Sequence, residues 1–377
     1  MLRYASLQIP RFEAAHYHAR YESTAPYMLS ASACEPTSVS ELLELAGVSA
    51  DELGAVSLSY TETGGHPELR RAIASGESNV DADDVIVLNS PVEGIFVAMS
   101  ALLAQGDRAV VLAPCYEALR NIPEHLCGNV EMWTMQGTDE GWALDMDALD
   151  ELLEPPTKVL VVNFPNNPTG FLPTPDEYAA ILEHTRKRGV WLFSDEIYRG
   201  LEPEGTPPLP TAAELYERAV VVDGLSKSYG LPGLRCGWVV ARDVGLRDRI
   251  TNWMHYTSQC QPAPVELLAL AALDARDALL KRNRARVAEN LKLGKAFFDR
   301  WNELFHWRAP IAGPVALVGI DVPSATEYCH TLAKDAGVVL LPSSFLGYDD
   351  GHVRFGFGQD DFGSRLARYE AYLENKA

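Results

Sequence analysis

Residues Ala219-Val-Val-Val-Asp-Gly-Leu-Ser-Lys-Ser-Tyr-Gly-Leu-Pro-Gly-Leu-Arg-Cys-Gly-Trp238 pass from an apolar run into a loop punctuated by glycines. A short apolar run closed by glycine reads as a buried strand. Glycine-rich backbone after such a strand lets another group approach closely. The stretch therefore delivers Lys227 from the end of a core strand to a place a ligand can reach. Lysine usage sharpens the point: there are only eight lysines, and none precedes Lys158. The other seven lie in polar helical patterns, at element ends or at the C-terminus, where solvent explains them.

Outward from this stretch the pattern is regular. Apolar runs alternate with helical stretches, the rhythm of a largely parallel sheet. Strands are expected at Val85 to Leu88, Ala109 to Ala113, Val130 to Thr134, Val159 to Asn163, Val190 to Ser194, Ala219 to Asp223 and Gly237 to Ala241. The expected class is α/β: a mostly parallel seven-stranded sheet sandwiched by helices, with a smaller α+β domain. The large domain is placed at residues 45–255, and the small one at 1–44 plus 256–377. In the latter, helices are expected at Val265 to Leu280, Lys281 to Asn302 and Ala325 to Ala336, and strands at Val315 to Asp321 and Val338 to Leu341. Residues 1 to 40 show little periodicity. Ser40 to Leu45 reads as a short helix, and Pro67 opens another after the turn at Gly64 and Gly65.

Composition bounds the function. The 377 residues are 47% hydrophobic and 22% charged, enough to build a large core. A net charge of -20 opposes nucleic acid and anionic membrane as partners, since both recruit clustered cations. The N-terminal Met1 to Pro10 carries no apolar signal-like stretch, so the expected location is cytoplasmic. The six cysteines are scattered without metal-binding spacing and read as free thiols.

In such sheets ligands bind beyond the carboxyl ends of the strands. At the first end, Ser90 is the expected N-cap of a helix, with Pro91 at its first position and Glu93 as capping-box partner. That helix start is also a ready anion site. Tyr116 follows the second strand. Asn163-Phe-Pro-Asn-Asn-Pro-Thr-Gly170 forms a rigid loop presenting Asn166 or Asn167. Asp195 follows Val-Trp-Leu-Phe-Ser, so its carboxylate needs a cation or several donors. Tyr198 leaves the same edge.

A lysine, an aspartate, a tyrosine, an asparagine and Arg235 at these positions resemble the class I/II aminotransferases of the fold-type I pyridoxal phosphate enzymes, from about Leu29 to Phe357. The resemblance implies pyridoxal 5'-phosphate as cofactor. Lys227 would form the internal aldimine and then shuttle the substrate's proton. Asp195 would pair with the pyridine nitrogen, while Tyr198 and Asn167 would hydrogen-bond the phenolic oxygen. Tyr116 would stack on the ring. Arg235 would clamp the phosphate, helped by Ser226, by the helix start at Ser90, Pro91 and Val92, and by Tyr60 from the other subunit of a homodimer with composite active sites. Arg354, in Gly351-His-Val-Arg-Phe-Gly-Phe357, would bind the substrate α-carboxylate, with Asn167 beside it.

Three departures from the family stand out. Gly224 occupies the place of a phosphate-binding serine, leaving Ser226 or Ser228 to substitute. Ser90-Pro91 replaces a Gly-Ala pair, and Pro342-Ser-Ser-Phe345 departs from the usual Pro-Gly form. The implied activity is transfer of an amino group from an L-amino acid to a 2-oxo acid. Two alternatives share the cofactor. Ser30 to Pro36 and Tyr60 to Gly65 resemble the capreomycidine synthase subgroup, which implies a lyase or cyclase. A non-catalytic regulator would require a fused DNA-binding segment.

Overall fold

The computed structural model describes residues 9–154 and 156–376. Met1 to Gln8, most of the stretch read for a targeting signal, lie outside them.

Seven strands form the central sheet: β1 (Val85–Leu88), β2 (Ala109–Ala113), β3 (Val130–Thr134), β4 (Val159–Asn163), β5 (Trp191–Asp195), β6 (Ala219–Gly224) and β7 (Gly237–Ala241). Their order is β1-β7-β6-β5-β4-β2-β3. Only β7 is antiparallel to its neighbours. Every residue of β1, β2, β4, β5 and β7 is buried, as expected of a sheet covered on both faces. Register then fixes the site: Asn163 pairs with Asp195, and Asp195 with Val222. The carboxyl ends of β4, β5 and β6 thus form one edge, and Lys227 emerges three residues beyond β6.

A second sheet gathers β8 (Phe305–His306), β9 (Val315–Ile320), β10 (Leu341–Pro342) and β11 (His352–Gly356), in the order β8-β9-β11-β10 and antiparallel throughout. Arg354 sits in β11 between Leu317 and Leu341. Phe298, Phe305 and Phe355 pack edge to face beneath this sheet, a geometry that adds to their burial. No described helix is long and apolar enough to cross a membrane.

Three expectations need correction. The little periodicity read over residues 1 to 40 hides a helix: α1 (Glu13–Tyr21) buries Ala14, Tyr17 and Tyr21. The helix boundary falls at Ala275, between α2 (Ala263–Asp274) and α3 (Arg276–Arg300), rather than near 280. Arg276 explains it by donating to the carbonyls of Leu273 and Ala72 and to Ser75 Oγ, which ties the break to a distant part of the chain. The single strand expected at Val338 to Leu341 divides in two. Val338–Val339 runs parallel to Tyr27–Met28, whereas Leu341–Pro342 joins β11.

Candidate active site

Beyond the edge formed by β4, β5 and β6 lies a cavity of about 280 Å³. Ten of the twelve residues expected from sequence line it: Ser90, Pro91, Val92, Tyr116, Asn167, Asp195, Ser226, Lys227, Arg235 and Arg354. Tyr198 stands just behind the wall, fully buried, and its hydroxyl donates to the Ser32 carbonyl. Tyr60 is elsewhere. It is 87% exposed and packs against no core of its own chain.

Lys227 is half-buried, and its ammonium donates to Ser32 Oγ at 2.8 Å. Burial first, then the nearby Arg354 cation, brings its pKa down to about 8, against an opposing pull from Asp195. Asp195 is pushed up to about 7 by burial, with the Ile197 N–H and Lys227 acting against that rise. The one hydrogen bond its carboxylate accepts among the described residues comes from Ile197 N–H, at 3.1 Å. A buried carboxylate so thinly supported has room for a cationic N–H partner from a ligand.

Arg354 is 3% exposed and forms the opposite wall. Its terminal nitrogens donate to Asn167 Oδ1 at 3.0 Å and to the Ser30 carbonyl at 2.8 Å. Its buried Nε has no partner among the described residues, which suits an incoming carboxylate. The Asn167 backbone is held in turn by Asn163 Oδ1 at 2.6 Å. With its oxygen engaged by Arg354, the Asn167 side chain is left with its NH₂ as donor.

At the other end, Arg235 has φ +55° and ψ +58°, a left-handed conformation uncommon for a residue with a side chain. Ser90 caps the helix Pro91–Leu102 by accepting from Glu93 N–H. The expected capping box does not close on Ser90: Glu93 reaches back to Asn89 N–H instead. Pro91 has no N–H, and Glu93 N–H is spent on the cap, so Val92 supplies the remaining donor of the opening residues.

The Gly224 departure has a steric cause. A Cβ there would stand 2.8 Å from Cys236 O, from Gly237 Cα and from Pro91 Cγ. A Cβ on Gly237 would lie 2.5 Å from Pro91 N. Proline at 91 and glycine at 224 are therefore one packing arrangement. Of the two candidate substitutes, Ser226 lines the cavity, whereas Ser228 turns away to donate to the Ile197 carbonyl.

Sequence reasoning missed the contribution of α1 and the segment after it. Phe12, Ala14, Ala15, His18 and Ser32 also line the cavity. Phe12 packs on Tyr116 with ring centroids 5.4 Å apart. Ser32 lies in the Ser30 to Pro36 stretch, but nothing local pairs it with Lys227; only the fold brings the two together.

Comparison with known proteins places this geometry. Residues 48–363 match the family described as aminotransferase class I and II. A probable N-acetyl-LL-diaminopimelate aminotransferase of Bacillus subtilis is 29% identical over 84% of this chain and 82% of its own. Capreomycidine synthase of Streptomyces vinaceus is 27% identical over 78% and 75%. Among solved structures, a PLP-dependent aminotransferase from Streptococcus suis superposes with a TM-score of 0.91 at 27% identity, covering 98% of both chains. The PLP-dependent cyclase OrfR superposes with a TM-score of 0.90 at 28% identity, covering 99% of this chain and 100% of its own.

Proposed function

We propose, from the premise that this chain belongs to the class I and II aminotransferases, that it is a pyridoxal phosphate-dependent aminotransferase moving an amino group from an L-amino acid to a 2-oxo acid. The observation that carries the reading is the half-buried Lys227 with the buried Asp195 and Arg354 around one cavity, each with unmet capacity for a ligand. When bound, the cofactor supplies an aldehyde for a lysine amine and a ring that withdraws electrons from the amino-bearing carbon.

The residues then divide the labour. Lys227 Nζ, with its pKa lowered to about 8, has a neutral fraction able to act as nucleophile and to carry the proton taken from the substrate α-carbon. Ser32 Oγ steadies it. Asp195 would pair with the cofactor's ring nitrogen and favour its protonated form. Asn167 would donate to the phenolic oxygen, Tyr198 would support that side of the pocket, and Tyr116 would cover the ring. Arg235, Ser226, Ser90 and Val92 N–H would hold the phosphate beside Pro91, and Arg354 would orient the substrate α-carboxylate. We propose a cytoplasmic homodimer in which the partner's Tyr60 completes each phosphate site, a reading supported by the exposure of Tyr60. The two domains proposed from sequence, 45–255 and 1–44 with 256–377, would meet at this cavity.

Borohydride treatment should fix the cofactor to the peptide bearing Lys227, and a ¹⁵N-labelled donor should pass its label to an added 2-oxo acid. A colourless protein with no modified Lys227 refutes the reading. The similarity to OrfR and capreomycidine synthase favours a second reading on the same residues, cyclisation. An intact ring product without label transfer would select it.

A further inference from the structure

A groove of about 510 Å³ adjoins the cavity, and the two share Ala15, His18, Ser32 and Pro232. The sharing sets a direction. A carboxylate on Arg354 and a reacting carbon at Lys227 leave the groove as the continuation past Ser32, the residue that holds Lys227 Nζ.

The groove wall is mostly apolar and small: Ala19, Ala31 and Ala33 with Met28 and Pro36 leave room for a chain of methylenes. Among the described residues that line it, the one charged side chain is an anion, the exposed Glu22. The cations of the cavity, Lys227, Arg235 and Arg354, all have roles in the proposed reaction. His18 at the junction adds no charge, because burial, Arg354 and Lys227 bring its pKa down to about 4. Along this lining a second carboxylate would meet an anion and a neutral imidazole, while the guanidiniums behind it are already engaged: Arg354 with the Ser30 carbonyl, Arg365 with the Met28 carbonyl, Arg286 with Asp360 and Arg282 with Glu41.

We infer that the groove is the side-chain subsite, and that the amino donor is a monocarboxylic amino acid with an elongated side chain rather than a dicarboxylate. This rests on the aminotransferase reading above for the place of the α-carboxylate and the reacting carbon.

The test uses the holoenzyme and unreactive carboxylates, with calorimetry as readout. From acetate to hexanoate, each added methylene should tighten binding about fourfold, and glutarate should bind no better than pentanoate. Ala19→Phe, at an exposed helix position touching only the groove, should flatten the series while leaving acetate unchanged. Should Ala19→Phe lose acetate binding as well, Ala19→Leu decides, with a series shortened to the smaller acids. A flat series in the unmodified enzyme, an unaltered series in the variant, or tighter binding of glutarate overturns the proposal. Failure of label transfer with this series intact would instead sink the aminotransferase reading, leaving the groove as the subsite beyond the bound carboxylate but naming no amino donor.

Discussion

Burying a lysine and an aspartate without a full complement of partners costs the cofactor-free chain stability, and the two costs occupy different pH ranges. Lys227 titrates near 8 in the folded chain against an ordinary 10.5. Its burial therefore penalises folding fully below pH 8, and the penalty fades as pH rises toward 10.5. Asp195 titrates near 7 against 3.8, so its penalty is absent below pH 3.8 and full above pH 7. Lys227→Met should accordingly raise the melting temperature of the cofactor-free protein at pH 7 by about 1–3 °C, the gap closing toward pH 10.5. With cofactor present the sign should reverse, because the variant loses the ligand's stabilisation. Calorimetric melts of both forms across pH check this. Residues of this kind were legible in the sequence because strand ends are: Lys227, Asp195 and Asn167 each follow an apolar run. Ser32 and His18 were not, since a serine or histidine in an unpatterned segment gives no hint of what it will face.

Elements were legible where their pattern is local. The central strands match their expected positions to within one residue, because runs such as Val159 to Asn163 are continuous apolar stretches bounded by turns. Helix α1 was not. Its tyrosines and histidines are weak helix formers, and its N-cap Phe12 makes no side-chain cap. Its first amides, Glu13 N–H and Ala14 N–H, are satisfied instead by the carboxylate of Glu117, at 2.9 and 2.7 Å. That cap lies more than a hundred residues away in the chain, beyond any local reading. Glu117→Ala leaves two amides without a partner and should cost about 1–3 kcal/mol, read as a lower urea midpoint. It should also release the α1 residues from the cavity, raising KM for the amino donor more than it lowers kcat. At the helix that opens on Pro91, Gly224→Ser should not restore a phosphate ligand. Overpacking against Pro91 and two backbone atoms should cost about 1–3 kcal/mol and weaken cofactor binding, measured by reconstitution of the cofactor-free protein. Pro91→Ala in that background should recover only part of the loss, because Cys236 O and Gly237 Cα remain in the way.

At the scale of the whole molecule, the described chain carries large apolar side chains in solvent that its own fold does not use. Leu58 and Tyr60 are each 87% exposed, and Tyr256 is 82% exposed. Thr61 Oγ1 donates to the Gln261 carbonyl, which ties the segment bearing Tyr60 to the one that follows Tyr256. Apolar surface of this kind suits a second copy of the chain better than water, and a twofold contact would use the same patch on both subunits. If Tyr60 serves the partner's phosphate site, each active site draws Lys227 and Tyr60 from different chains. A Lys227→Ala chain and a Tyr60→Ala chain are then each defective as homodimers, yet a mixed dimer holds one site with both residues intact. Random reassortment of equal amounts makes half the dimers mixed, each with one complete site, so about a quarter of wild-type activity should return. Mixing after mild dissociation, with activity followed as dimers re-form, reads this directly. No gain above the sum of the separate variants would mean that Tyr60 acts within its own chain or not at all. Sedimentation showing monomers on dissociation and dimers after mixing would tie that result to Tyr60, because exchange without reactivation cannot then be blamed on failed association.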